Sequence, residues 1–353
     1  MTEQNFNGFN LSGYSLSNSN LANGKLSKAK LLGVDFSGAD LSSADLTEAD
    51  LTGANLTGAD LYSAKLAGAN LTGATLSKAD LTNADLRDCL MPGLQAQGAK
   101  FAGANLSKTN LNAANLSGCD FSEADVSDSS LVGACLDSVI FSRTNLTKSN
   151  LFSASLIAAK FNLTQMDDVN LTGAKLNGSS FSDAVLSGTN FDNANLQESN
   201  FENQNLSGIN LSSVNLSGSL LAGANLDGVS LLYARISRAN FTEASLKDTN
   251  LRFAKTTGTK FMEANFQGAN LIHTGMYKDS MLKDFPSLKH NKNTRWDDEQ
   301  LMRRGKHVKK KTTFEQSNQH IQTTSHSNTE IKQQSNNNNN GFLKKMSSFF
   351  SSR

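Results

Sequence analysis

The sequence predicts an all-β fold, a square coil of short parallel strands with one strand on each side. Three observations predict it. A five-residue pattern runs without an insertion from Phe6 to Met276, a period of five suits neither a helix nor a flat strand, and phenylalanines recur at every twentieth residue. The stretch ADLSSADLTEADLTGANLTGADL, residues 39–61, shows the pattern at its most regular. Side chains repeat every ~3.6 residues in a helix and every ~2.0 in a strand. Five helical residues leave a drift of roughly 140°, so the Leu would spiral around the axis. Five strand residues send alternate Leu to the wrong face. Only a corner in every repeat keeps all of them inside.

Each position of the repeat then has a place. The centres, Phe6, Leu11, Leu16, Leu21 and onward to Phe261, Phe266, Leu271 and Met276, face the interior. A small residue two positions earlier, as at Ala39, Ala44, Ala49 and Ala54, also faces inward, and the Asp or Asn between them faces out. The remaining two positions, rich in Ser, Thr and Gly, make the corner. The number of sides follows from Phe101, Phe121, Phe141, Phe161, Phe181 and Phe201, which stand twenty residues apart, with Phe241 and Phe261 continuing after Leu221. Four repeats close a coil, and these rings form a core stack along one side. Strands ~4.8 Å apart and roughly thirteen and a half coils give a length on the order of 65 Å. Large centres alternating with small residues fill the tube and leave no internal room for a ligand.

The A-(D/N)-L-x-x pattern over residues 4 to 276 resembles that of the pentapeptide-repeat family. The resemblance implies a right-handed quadrilateral β-helix. It leaves function open, because the family is functionally mixed. Some of its members mimic a DNA duplex and bind DNA gyrase.

Four segments follow: the β-helix 1–276, a short C-terminal cap 277–311 expected to be helical, a low-complexity linker 312–341 expected to be disordered, and a short amphipathic terminus 342–353. At the N-terminus, Phe9 and Tyr14 replace the small inner residue, which predicts that they plug the open end. In CLMPGLQAQG, residues 89–98, Met91 and Ala96 become centres, Leu94 replaces a small residue and Pro92 falls at a corner. A local bulge is predicted there, a repaired packing defect in preference to a binding site. After Met276 the next centres would be Met281 and Pro286, and proline cannot extend a ladder. Met281, Leu282, Phe285, Leu288 and Trp296 offer apolar surface to close that end, and Asp297 and Asp298 are expected to begin a helix through Leu301 and Met302. In the terminus, Phe342, Met346, Phe349 and Phe350 share a helical face beside Lys344 and Lys345. That face suits weak membrane-surface contact, a protein partner or a secretion signal.

Composition limits the chemistry. No N-terminal apolar stretch resembles a signal peptide and no run is long enough to span a bilayer, so a cytoplasmic location is the default expectation. Cys89 and Cys119 take the small inner position on opposite sides of the square, and Cys135 faces out; neither a disulfide nor a metal site is expected. All five histidines lie at or beyond the last coil, from His273 to His326. No acid, base, nucleophile or metal set converges anywhere, so no enzyme and no cofactor is expected.

Charge is uneven. Residues 1–276 hold 25 acidic against 18 basic side chains, a balance of −7, whereas residues 277–353 hold 7 against 15, a balance of +8. The basic tail either settles on the acidic coil or meets an outside partner. The expected function is a non-catalytic protein-interaction scaffold that presents a rigid face to a macromolecular partner, with a homodimer as one form of that partner. The alternatives are a bacterial effector delivered into another cell, with RRGKHVKKK (303–311) as a nuclear address, and a DNA mimic acting on gyrase. Lys65, Lys100, Lys160 and Lys175 interrupt the acidic faces, and the repeats carry no loop insertions, which weakens the mimic reading; direct nucleic-acid binding is not expected. The candidate partner-binding residues follow the centres from Leu11 and Leu31 to Leu271: Leu32, Val132, Phe152, Leu232, Tyr233, Phe253 and Ile272. Residues twenty apart are neighbours there, so these apolar groups cluster.

Overall fold

The computed structural model describes residues 5–297, which lie within one compact unit, Met1–Asp298. The square coil is as the sequence predicts. Single parallel bridges join outward residues to those twenty positions on, from Asn5 with Lys25 to Asn250 with Asn270, with Val185 and Asn190 the exceptions. Each coil is held to the next by backbone bonds that run in both directions. A centre donates upward, as from Leu41 N–H to the Asp60 carbonyl (2.7 Å), and an outward residue donates downward, as from Asp60 N–H to the Ala39 carbonyl (2.9 Å). Four faces result, carrying outward residues 25, 45, 65 … (first), 30, 50, 70 … (second), 35, 55, 75 … (third) and 40, 60, 80 … (fourth).

The corners explain the rest of the repeat. The second corner residue adopts a left-handed conformation in every coil: glycine at Gly53 and Gly58 (φ 64° at both), but a side-chain-bearing residue at Glu48 and Ser63. An outward Asp or Asn accepts from the first corner N–H, as at Asp50 Oδ1 from Thr52 (3.2 Å) or Asn55 Oδ1 from Thr57 (3.2 Å). That Asx turn is why Asp and Asn dominate the outward position. They also ladder: Asn55 Nδ2 donates to Asp35 Oδ1 (3.0 Å) and Asn215 Nδ2 to Asn195 Oδ1 (3.0 Å).

Inside, the Leu centres and Ala column are buried from Leu26 onward. The rings of Phe101 and Phe121 stack at 4.7 Å, Phe121 and Phe141 lie 5.4 Å apart, Phe141 and Phe161 5.5 Å, Phe161 and Phe181 4.8 Å, and Phe181 and Phe201 4.5 Å. Where Thr replaces Ala, its hydroxyl is satisfied by a backbone carbonyl, either of the coil below, as from Thr144 to Phe121 (2.6 Å), or of its own coil, as from Thr109 to Leu106 (2.7 Å).

Two expectations are corrected here. The segment 89–98 does not bulge. Leu90 and Gln95 keep their bridges, and Met91 N–H donates to the Asn110 carbonyl (2.8 Å). Pro92 costs nothing because the first corner N–H never enters the ladder; its carbonyl still accepts from Gly73 (3.0 Å). Phe9 and Tyr14 do not plug the first coil: they are 57% and 63% exposed, with the Phe9 ring edge-on to Phe6 at 6.3 Å. Phe6, Leu11 and Leu16 pack on the core there.

Beyond Met276 the chain spends a few more residues per turn. A helix, α1 (Lys278–Asp284), replaces one side, and the ladder resumes when Phe266 N–H donates to the Lys289 carbonyl (2.7 Å) and Leu271 N–H to Arg295 (2.7 Å). Met281 and Leu288 are buried, and Leu282, Phe285 and Trp296 pack against the last coil. Asp297 bridges to Tyr277, and its carboxylate accepts from the His273 and Gly275 N–H groups. The expected helix through Leu301 and Met302, the linker 312–341 and the terminal residues Phe342, Met346, Phe349 and Phe350 lie outside the described residues.

Candidate interaction surfaces of the coil

Among the described residues no group of His, Cys, Asp and Glu is arranged to hold a metal ion, and no helix is long and apolar enough to cross a membrane. Cys89 and Cys119 are buried free thiols whose Sγ atoms lie 3.0 and 2.9 Å from the Leu66 and Ala96 carbonyls. Burial pushes both up to about 12. The acidic residues are largely tied up locally. Backbone and hydroxyl bonds from Ser37 hold the Asp35 carboxyl below its ordinary range, and the side-chain bond from Arg87 does the same for Asp85, with its Nη2 2.7 Å from Oδ2. On the fourth face the run Asp40, Asp60, Asp80 ends against Lys100, whose ammonium lies 3.1 Å from Asp80. Negative charge therefore thins out along the coil, and Arg235, Arg238, Arg252, Lys255 and Lys260 take over in its C-terminal quarter.

The predicted partner-binding residues sit on the corner edge between the second and third faces. Val132 is half-buried and Phe152 is 44% exposed on the next coil, where the Phe152 carbonyl accepts from Gly133 N–H (3.0 Å). Leu232 and Ile272 are half-buried. Leu32 is exposed. The polar corners Thr172, Asp192 and Ser212 separate the pair at 132 and 152 from the group at 232–272.

That second group contains a ladder of rings. Tyr233 and Phe253 stack at 5.0 Å with 10° between their planes, and Phe253 and His273 stack at 4.6 Å with 14°. Arg252 lays its guanidinium carbon 5.2 Å from the Phe253 ring centre, and its Nε is buried without a partner among the described residues. Tyr233 remains 56% exposed and Phe253 36%. All three rings occupy the left-handed corner position, at φ 60°, 59° and 65°. Bulky residues are uncommon there, since the conformation costs roughly 1–2 kcal/mol without glycine. His273 was not legible as a member; only its place forty residues after Tyr233 marked it. Other exposed apolar residues, Tyr62, Leu90, Leu163 and Met262 among them, make no ring ladder.

Family profiles for pentapeptide repeats match this chain in 8 copies over residues 25–58, 54–91, 97–133 and 244–274, and a pentapeptide repeat region matches residues 154–231. The chain belongs to the pentapeptide-repeat family, and its fold is a right-handed quadrilateral β-helix. Similar solved structures include HetL, a pentapeptide repeat protein involved in heterocyst differentiation regulation from the cyanobacterium Nostoc sp. strain PCC 7120. It is 26% identical, with 76% of this chain and 89% of that chain covered at a TM-score of 0.24. QnrB1, a plasmid-mediated fluoroquinolone resistance protein, is 22% identical, covering 46% of this chain and 89% of its own at a TM-score of 0.35. A pentapeptide repeat protein from the Arabidopsis thaliana thylakoid lumen is 34% identical over 30% of this chain and 71% of its own, at a TM-score of 0.20. No curated protein matches the sequence.

Proposed function

We propose that this chain is a non-catalytic scaffold that binds a protein partner through the corner edge bearing Tyr233, Phe253 and His273. The observation that supports this is the ring ladder itself. Three aromatic side chains on consecutive coils are held in a backbone conformation that disfavours them, stacked on one another and open to solvent. The interior gains nothing from them, because the corner position never faces inward. Aromatic and Arg side chains are the residues that anchor protein interfaces, and Arg252 lies against the middle ring. With Arg235 and Lys255 on the adjoining third face, the edge suits a partner surface that is apolar at its centre and acidic at its margin.

The test installs a photo-cross-linking benzoylphenylalanine at position 253 of the full chain, and at position 62 as a control on another corner. Specific adducts form from 253 and not from 62, and replacing the two rings that flank it, Tyr233→Asn with His273→Asn, abolishes them. Identical adducts from both positions, or adducts indifferent to those replacements, overturn the assignment. Asn tolerates the left-handed conformation, so relief of about 1 kcal/mol at each position roughly offsets the lost stacking of about 0.5–1.5 kcal/mol per pair. The variants therefore fold, and loss of adducts reads binding alone.

A further inference from the structure

The ladder parts at one level. Met166 N–H donates to the Val185 carbonyl (2.8 Å) and Leu206 N–H to Asn225 (2.8 Å), but between these coils the N–H groups of Leu186, Gly188, Phe191, Asn205 and Asn210 find no backbone partner among the described residues. The bridges from 185 to 205 and from 190 to 210 are missing, although those from 165 to 185 and from 205 to 225 are present. On the other two faces the same coils stay joined, by Leu196 N–H to Asn215 (2.8 Å), Glu198 to Ser217 (3.0 Å) and Leu220 to Ser199 (2.9 Å). The gap is a wedge, hinged on the third and fourth faces and open on the first and second. It holds a cavity of ≈ 490 Å³ lined by Ala184–Gly188, Asn205 and Ser207–Ile209.

Oversized core residues stand at this level. Gln204 stands in the small inner column between Ala184 and Ala224, and Ile209 between Thr189 and Val229. Phe191 replaces the Leu of its own column, and its ring stands edge-on to Phe181 (5.9 Å) and Phe201 (6.4 Å). Oversized side chains in a filled tube force the backbone apart. Acidic residues adjoin the lining without being part of it: Asp183 precedes Ala184, Glu202 stands at the same corner one coil on, Asp168 lies against Gly188, and Asp227 stands one coil beyond Ser207. Asp192 accepts across the gap from Asn210 Nδ2 (3.3 Å), and Lys247 pairs with Asp227 (3.5 Å).

We propose that this wedge is a binding site for an extended, basic peptide segment of a partner protein, taken up as an additional strand between the two coils. On each side the two walls leave free backbone donors, Leu186 and Asn205 N–H on the first face and Phe191 and Asn210 N–H on the second, and an extended backbone pairs with such an edge over one side of the coil. The cavity lies within the ~300–1,000 Å³ range of ligand pockets. Its acidic rim selects the charge of the occupant. The aromatic ladder begins at Tyr233, beyond the coils that form the wedge, so the two sites stand independently.

The probe is a fluorescein-labelled octapeptide of alternating Lys and Val, titrated against the full chain by anisotropy, with backbone amides followed by NMR hydrogen exchange. In the free protein the amides of Leu186, Gly188 and Phe191 exchange faster than those of Met166 and Asp168 one coil below. Saturating peptide slows them about tenfold or more. The same peptide N-methylated at alternate residues does not bind, because it cannot pair with both edges. Gln204→Ala with Ile209→Ala closes the wedge, slows exchange in the free protein and weakens binding about tenfold or more. Asp183→Lys with Glu202→Lys weakens binding while leaving free-protein exchange unchanged. Slow exchange of Leu186 and Phe191 in the free protein, or equal binding of the N-methylated peptide, overturns the proposal. Should the core variant fail to fold, the comparison of the two peptides on the unmodified chain decides.

Discussion

Replacing Phe141 with Ala probes how far the interior stack carries the stability of the coil. Phe141 is fully buried, with the Phe121 ring 5.4 Å below it and the Phe161 ring 5.5 Å above. Truncating a buried Phe to Ala costs about 3–5 kcal/mol, through lost transfer free energy and the cavity left behind. Neighbouring rings cannot collapse into the space, because the corners fix the coil circumference, so the upper part of that range applies. Phe141→Leu is a different perturbation. Leu occupies the same column at Leu81 and Leu221, so a Leu fits the ladder without strain and costs under about 2 kcal/mol. The assay is equilibrium urea unfolding, followed by circular dichroism for the whole coil and by fluorescence of Trp296 for the C-terminal end. A solenoid is stabilised by nearest-neighbour interfaces, so a weakened middle coil separates the two transitions. An Ala variant that loses less than about 1 kcal/mol, or a Leu variant that loses as much as Ala, refutes this account of the core.

Two further outcomes follow from the same geometry. Iodoacetamide alkylates Cys135 alone in the folded protein and all three cysteines after denaturation, because thiols pushed up to about 12 hold almost no thiolate at neutral pH; mass spectrometry of native digests checks this. A chain ending at Met276 loses the bonds from Phe266 to Lys289 and from Leu271 to Arg295 and bares Phe261, so it melts lower or associates end to end in sedimentation experiments; an unchanged monomer of unchanged Tm removes the capping role.

The fold was legible because each of its causes is local and repeated. The five-residue period demands a corner, the Phe column counts the sides, and the outward Asp and Asn close their own turns. The sequence misled where a residue's identity mattered less than its position within the repeat. Pro92 looks disruptive, yet it sits where the backbone N–H is unused. Gln204 and Ile209 look unremarkable as letters, yet they stand on successive sides of one coil at the position that Ala usually fills. A column-by-column reading of volume carries that signal, and a reading of motif matches does not. A helix in the cap was legible, but its place at Lys278–Asp284 was not: it replaces one side of a coil, and nothing in KDSMLKD distinguishes a cap turn from a solvent loop.

A fold this repetitive confines function to places where the repeat departs from its own rules. Inward positions are constrained by volume, and outward positions are occupied with turn closure, so an Asp or Asn there is explained before any ligand is invoked. That argument removes most of the polar surface from consideration, including the acidic run that ends at Lys100. What survives are departures that carry a cost. Rings at Tyr233, Phe253 and His273 pay in backbone conformation, and Gln204, Ile209 and Phe191 cost the ladder its hydrogen bonds at one level. Local violations of otherwise consistent design are where natural proteins concentrate function. The two departures also differ in kind: the corner rings add contact surface without altering the coil, whereas the oversized core residues alter the coil without adding contact surface. A partner that reads the first meets side chains, and one that reads the second meets backbone. The ring variants and the N-methylated peptide therefore interrogate separate chemistries of one solenoid.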